Sequence, residues 1–357
     1  MNLTNQVDFS NQHFYIGTDV HKKNWKITIR TSTMELKTFS MDSSADNLAE
    51  YMKKNYPNGV YHSVYEAGFS GYGAHKELTK HGFDSIIVSP ADVPSTNKEK
   101  SGKTDKIDSR KLSRELANGS LSGIYIPDDY HQQLRSLCRM RQLLIRDETR
   151  MKNRIKSMFM FYSKEVPENK QMQHWSKRFI EWLRNQRFEF EMGNQCLSVM
   201  IDGLINSRSL ITQVTKNLRH HCNSNPEIKK IIELLLTVPG IGFITAVTIY
   251  TEIINIKRFK TLDHFCSYIG LVPSVHSSGD KNHTNGLTKR ANAYLRSLII
   301  EASWTAIRVD PALTMKYNEL IKNMKGQEAI IHIAKKLINR IRRVWLEEKP
   351  YVLSIVK

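Results

Sequence analysis

The sequence predicts an α/β domain followed by a largely helical remainder, and three observations carry that prediction. Short apolar runs alternate with helical stretches over residues 1–126. Glycine then nearly vanishes over residues 127–230, where long helical periodicity takes over. Over residues 231–357 helices resume around Pro239-Gly240-Ile241-Gly242. Three domains with those boundaries are expected.

In the first region, residues 14–20 read as a short buried strand, and 25–30 and 35–41 follow at hairpin spacing. Residues 46–55 carry Leu48, Tyr51 and Met52 at helical spacing. Residues 60–65 form the next strand, which runs into Glu66-Ala67-Gly68. Residues 74–81 are a helix, 85–88 a strand and 90–94 a turn. Thr104 or Asp105 then caps a helix that reaches about Ala117. Three antiparallel strands leading into parallel ones, in the order βββ-α-β-α-β-α, is the order of a ribonuclease H-like fold.

The second region spaces Leu134, Cys138, Leu143, Leu144, Met151, Ile155 and Met158 as an apolar stripe, which predicts a helical hairpin or coiled coil. Arg135, Arg139, Arg141, Arg146, Arg150 and Arg154 stud the same segment as a solvated face or a track for phosphates. His220-His221-Cys222 reads as a loop, without partner ligands at metal-binding spacing. The third region opens with a helix-hairpin-helix pattern. Gly240 and Gly242 would let the backbone approach a phosphate, and the second helix would offer free N–H groups. The alternative there is a plain helical hairpin with no ligand. Trp25 and Trp304 read as packing residues, and His276 and His283 as loop residues.

Composition narrows the partners. The 357-residue chain carries 53 Lys and Arg against 35 Asp and Glu, a formal charge of +18, which favours a polyanion and above all nucleic acid. Charged residues at 25% and hydrophobic residues at 40% exclude a wholly disordered chain. No apolar run is long enough to span a bilayer, and the polar start through Gln12 does not read as a secretory signal. Four widely spaced cysteines make no disulfide framework, so a cytoplasmic protein without membrane contact is expected. The basic stretch 98–106 could touch nucleic acid or simply be solvated.

The acids carry the chemistry. Asp19 lies inside the first strand, Glu66 just past the fourth, and Asp105 and Asp108 share a face at the front of the last helix of the region. Singly, Asp105 reads as a cap, Asp108 as a dipole partner and Glu66 as a strand-end acid. Asp19 is costly to bury unpaired between Ile16 and Val20. In a ribonuclease H-like sheet all four would converge. Clustered carboxylates repel, and hard divalent ions such as Mg²⁺ or Mn²⁺ relieve that repulsion while leaving room for substrate phosphates.

Gly17-Thr18-Asp19-Val20-His21-Lys22, Tyr65-Glu66-Ala67-Gly68 and Lys103-Thr104-Asp105-Lys106-Ile107-Asp108 resemble the three acidic motifs of the DEDD transposases of insertion sequences, the IS one-ten type with its Piv-like invertases. Residues 268–273, Ser277-Ser278-Gly279 and the run from Thr288 through Arg296 resemble the family's C-terminal motifs, with Ala291 where the family usually has Gly. The resemblance implies a RuvC-like first domain similar to Holliday-junction resolvases, with Asp19, Glu66, Asp105 and Asp108 as catalytic metal ligands. It also implies a serine nucleophile at Ser278, and a structured bridge RNA that pairs with donor and target DNA. Ser277 and Ser274 are the nearest alternatives for the nucleophile. Lys289, Arg290 and Arg296 are placed to neutralise phosphate. A dimer or tetramer is expected, because recombination handles several strand ends. A serine acting with metal requires the two domains to meet, within one chain or between protomers. Two other readings stay open: a metal-dependent junction endonuclease that uses water, and a basic scaffold whose acids are structural.

Overall fold

The computed structural model describes residues 8–94, 105–278, 281–288 and 291–353. The chain divides into two compact units, residues 1–126 and 127–357.

The first unit is a five-stranded mixed sheet. Strands β1 (His13–Val20), β2 (Asn24–Arg30) and β3 (Glu35–Asp42) form an antiparallel meander, and β4 (Val60–Glu66) and β5 (Asp84–Val88) add in parallel on the other side of β1. The order β3-β2-β1-β4-β5 puts β1 in the middle. Such a mixed sheet with helices is consistent with a ribonuclease H-like domain. Alternation in β1 sends Phe14 and Ile16 to one face, where they meet Leu48, Ala49 and Met52 of helix α1 (Ala45–Asn55) and Leu78 of α2 (Gly73–Lys80). Ser44 caps α1 by accepting from the amide of Asn47.

Helix α3 (Asp105–Ala117) covers the opposite face, with Leu112 against Val64 and Val88. Small residues set how closely it lies. A Cβ on Gly17 would stand 2.2 Å from the Ser109 carbonyl oxygen and 2.4 Å from the Ser113 amide, so only glycine admits the helix backbone there. Ser109 and Ser113 are buried, and Thr28 Oγ1 meets Ser109 Oγ at 2.9 Å. This approach draws the front of α3, with Asp108, to the C-terminal edge of β1.

The second unit is mainly helical. Helices α4 (Asp129–Phe161) and α6 (Glu191–Ser224) run antiparallel, with α5 (Lys177–Asn185) packed near one end. Ile155 and Phe159 pack with Leu197, Ile201 and Leu204, while Leu134 and Cys138 share a core with Leu218 and Cys222. That second core also holds residues of α7 (Pro226–Leu236), α8 (Phe243–Ile253), α9 (Leu262–Ile269), α10 (Ala293–Val309), α11 (Pro311–Leu320) and α12 (Gly326–Glu347). The long helices and the C-terminal helices therefore form one unit, because the base of the α4–α6 pair is walled by α7 and α8. His220, His221 and Cys222 lie on the last turns of α6 rather than in a loop, with Cys222 buried. Strands β6 (Pro273–Ser278) and β7 (Lys281–Leu287) form an antiparallel ribbon where a loop was expected around His276 and His283. Trp25 is buried in the first unit, and Trp304 packs against the core of the second. Among the described residues no helix is long and apolar enough to cross a membrane.

Candidate active site

Three of the four motif acids line one cleft. Asp19 is the penultimate residue of β1 and Glu66 the last of β4, and the parallel register that pairs Thr18 with Tyr65 carries both to the same sheet edge. Asp108 joins them from the first turn of α3. Together with Thr18, His21, Ala67, Gly68, Phe69, Ser70 and Leu112 they enclose about 310 Å³. The loop after β4 is held by Tyr65, whose hydroxyl donates to the Gly71 carbonyl at 2.9 Å and accepts from the His75 amide at 3.3 Å. Burial pushes that phenol up to about 12, so it stays a neutral donor. Phe69, in contrast, is exposed on the cleft wall. Asp105 begins α3, but its side chain lies outside the described residues.

Each described acid has a cationic or titratable neighbour. His21 Nε2 lies 3.1 Å from Asp19 Oδ2. Lys111, one turn beyond Asp108 on α3 and only 8% exposed, places its Nζ 3.3 Å from Asp108 Oδ1 and 3.6 Å from Glu66 Oε1. Among the described residues no three His, Cys, Asp or Glu side chains are grouped tightly enough to hold a metal. The donor chemistry nevertheless fits a hard divalent ion. The acids at the cleft are oxygen ligands, and two of them already share a cation. Lys111, Phe69 and Ser70 lie outside the sequence motifs, and of these only Lys111 carries a local signal, its i,i+3 relation to Asp108; His21 falls inside the first acidic motif, though the sequence assigns it no role.

Two family models match the chain in order. A DEDD transposase model of the IS110 type covers residues 16–163, and the model described as Transposase IS116/IS110/IS902 family covers residues 232–318. The chain belongs to the IS110 family of DEDD transposases. A Sinorhizobium fredii protein named as a candidate transposase is 27% identical over 68% of this chain and 57% of its own length. The transposase for insertion sequence element IS1111A of Coxiella burnetii is 25% identical over 64% of this chain and 60% of its own. The pilin gene-inverting protein of Moraxella bovis is 26% identical over 51% of this chain and 56% of its own. The matched part of this chain thus spans less than two thirds of each of these relatives. DEDD transposases of this family are normally dependent on divalent metal.

The second family match covers the other expected residues. Ser278 ends β6, paired in register with Lys281; its side chain lies outside the described residues, as do Lys289 and Arg290. Arg296 is turned inward: its Nη1 donates to the carbonyls of Gly270 at 3.2 Å and Thr288 at 2.6 Å, bracing the foot of the ribbon. Gly240 is needed for packing. Its φ is +83°, and a Cβ would stand 2.3 Å from the Ala302 carbonyl of α10, so its close neighbour is a helix of the same unit. Gly242 sits at the N-cap of α8 with no side-chain cap, and a Cβ there would meet nothing within 4 Å.

Three arginines of the expected phosphate track also serve the interior of this IS110-family chain. Arg135 Nε donates to the Thr251 carbonyl at 2.7 Å and Arg141 Nε to Thr215 Oγ1 at 2.8 Å. Arg139 grips Glu252 with two bonds of 2.7 and 2.8 Å. Glu252 is almost wholly buried, and its Oε2 also accepts from Asn292 Nδ2 at 3.0 Å. Asn292 in turn caps α10 by accepting from the Leu295 amide. The Asn of the C-terminal motif and Arg296 are therefore structural braces around the ribbon that carries Ser278.

Proposed function

We propose that this protein is the transposase and site-specific recombinase of an insertion sequence, cutting and rejoining DNA strands with the acid cleft and a serine nucleophile. The observation that supports it most is the convergence of Asp19, Glu66 and Asp108, from three separate motifs, on one cleft at the C-terminal edge of the central strands. Asp105 is the fourth acid of the set. Mg²⁺ or Mn²⁺, when bound, would offset charge on the transferring phosphate and on the attacking and leaving oxygens.

The residues of the chain divide the remaining work. The Glu66 and Asp108 carboxylates present oxygens from a strand end and a helix, the first fixed by the register of β4 on β1 and the second by the packing of α3 on Gly17. The Ser278 hydroxyl adds to a DNA phosphorus while the bond to the leaving sugar oxygen breaks. The serine loses its proton and the leaving oxygen gains one. A phosphoserine ester conserves the energy of the broken bond, so the strand can be passed to a new partner without a high-energy cofactor. Lys289 and Arg290 neutralise backbone phosphate, and Gly242 at the start of α8 offers backbone amides to it. A bridge RNA encoded by the element pairs with donor and target DNA and selects the sites. The protein works in the cytoplasm as a dimer or tetramer, holding several strand ends at once.

The test uses full-length protein expressed in cells that carry the element's ends with their flanking non-coding DNA. A protein–DNA adduct attached through Ser278 and joined strands are expected from the wild type, and neither from Ser278→Ala. Joined strands from Ser278→Ala would remove the serine mechanism, and strand breakage without joining by that variant would leave a water-using nuclease as the better reading.

A further inference from the structure

Lys111 occupies the centre of the acid pair without belonging to any of the motifs that define the family's site. Its side chain is almost fully buried, and its ammonium stands between a carboxylate at the end of β4 and another on α3. An ammonium is costly to bury unless it is paired, and two carboxylates this close repel unless a cation lies between them. Each requirement satisfies the other, so Lys111 holds Glu66 and Asp108 in place without metal. The same position makes it a competitor. A divalent ion that takes oxygens from both acids meets a fixed positive charge a few ångströms away, and inside a cleft that repulsion is weakly screened.

We propose that Lys111 is a positioning residue that acts as the resident counter-ion of Glu66 and Asp108, competes with divalent metal for them, and so holds metal affinity down. This inference rests on reading the cleft as a metal-dependent catalytic site. It requires no bond chemistry at Lys111, only exchange of one cation for another. Methionine matches the lysine stem and removes the charge, whereas arginine keeps the charge with a different head.

The experiment measures Mn²⁺ binding to the full chain, without DNA, by the loss of the free-ion electron paramagnetic resonance signal. Lys111→Met is expected to bind Mn²⁺ about tenfold tighter than wild type, equivalent to removing about 1.4 kcal/mol of repulsion. Lys111→Arg is expected to bind as wild type does. Equal or weaker binding by Lys111→Met overturns the inference. If that variant does not fold, Lys111→Gln carries the same two outcomes. Asp19→Asn separates the inference from its foundation. If Asp19→Asn weakens Mn²⁺ binding while Lys111→Met leaves it unchanged, only the role of Lys111 fails. If Asp19→Asn leaves Mn²⁺ binding unchanged, the metal reading of the cleft fails and the inference falls with it.

Discussion

Glu252 in the second unit and the Asp19, Glu66 and Asp108 group in the first are both acidic centres assembled from several elements, yet they are finished differently. Glu252 is buried and saturated: Arg139 grips both of its oxygens, Asn292 donates to one, and Arg135 Nε stands 4.0 Å away. Those partners belong to α4 and the cap of α10, so the pairing ties both helices to α8, which carries Glu252. The acids of the first unit face a cleft and share a single lysine between two of them. A carboxylate whose oxygens are all answered by the protein has nothing left for a ligand. One that opens on a cleft with partial compensation can take a cation or orient a phosphate. Acid content alone does not distinguish the two; the remaining lone pairs do.

The sharpest way to break this contrast is to neutralise the two kinds of acid and compare activity with stability. Glu66→Gln and Asp108→Asn are each expected to reduce DNA strand breakage at least about 10³-fold, while each leaves Lys111 one carboxylate partner, so that the melting temperature falls by only a few degrees. The measurement is strand breakage per unit of folded protein. Gly240→Ala should do the reverse within the second unit. Adding a Cβ at φ +83° against the Ala302 carbonyl is expected to cost about 3 kcal/mol in denaturant unfolding. Glu252→Gln is expected to cost about 2 kcal/mol, since it replaces the charged acceptor that Arg139 and Asn292 share in a buried position, and the same unfolding curves would show it. If Glu252→Gln were neutral in stability, its saturation would not be structural and the comparison would lose its second half.

The smallest effect concerns pH. Burial raises the pKa of Glu148 on α4, but its hydrogen bonds to Lys152 and to Arg208 of α6 outweigh that and leave it below the ordinary 4.5. A depressed carboxylate contributes stability above its unfolded pKa and loses it as pH falls through the folded value. Pairing of α4 with α6 should therefore weaken by about 1 kcal/mol as pH falls below about 4.5, and Glu148→Gln should remove that part of the pH dependence. Unfolding at a series of acid pH values measures it.

Much of the first unit is legible in the sequence because its signals are local. Alternating apolar residues mark the strands, and a polar start followed by periodic apolar positions marks α3. The convergence of Asp19 with Glu66 and Asp108 follows from strand order, which local pattern also supplies. What the sequence does not display are features that depend on distant partners. Ser109 and Ser113 look like ordinary helix-surface residues until Gly17 brings them onto the sheet. Lys111 reads as one more surface charge of a basic chain until Glu66 arrives from β4. The β6–β7 ribbon is invisible to hydrophobic periodicity because both strands are mostly polar and pair through backbone hydrogen bonds. Gly240 and Arg296 carry no sequence signal that separates a phosphate contact from a packing role, and the packing partners, the carbonyls of Ala302, Gly270 and Thr288, appear only in the folded chain.

Asp19→Asn tests the central claim most directly, with strand breakage and melting temperature measured side by side in the presence of Mg²⁺. The cleft as described predicts that breakage disappears while the melting temperature stays within a few degrees of wild type. Undiminished breakage, or breakage that falls only in proportion to lost folded protein, would contradict it.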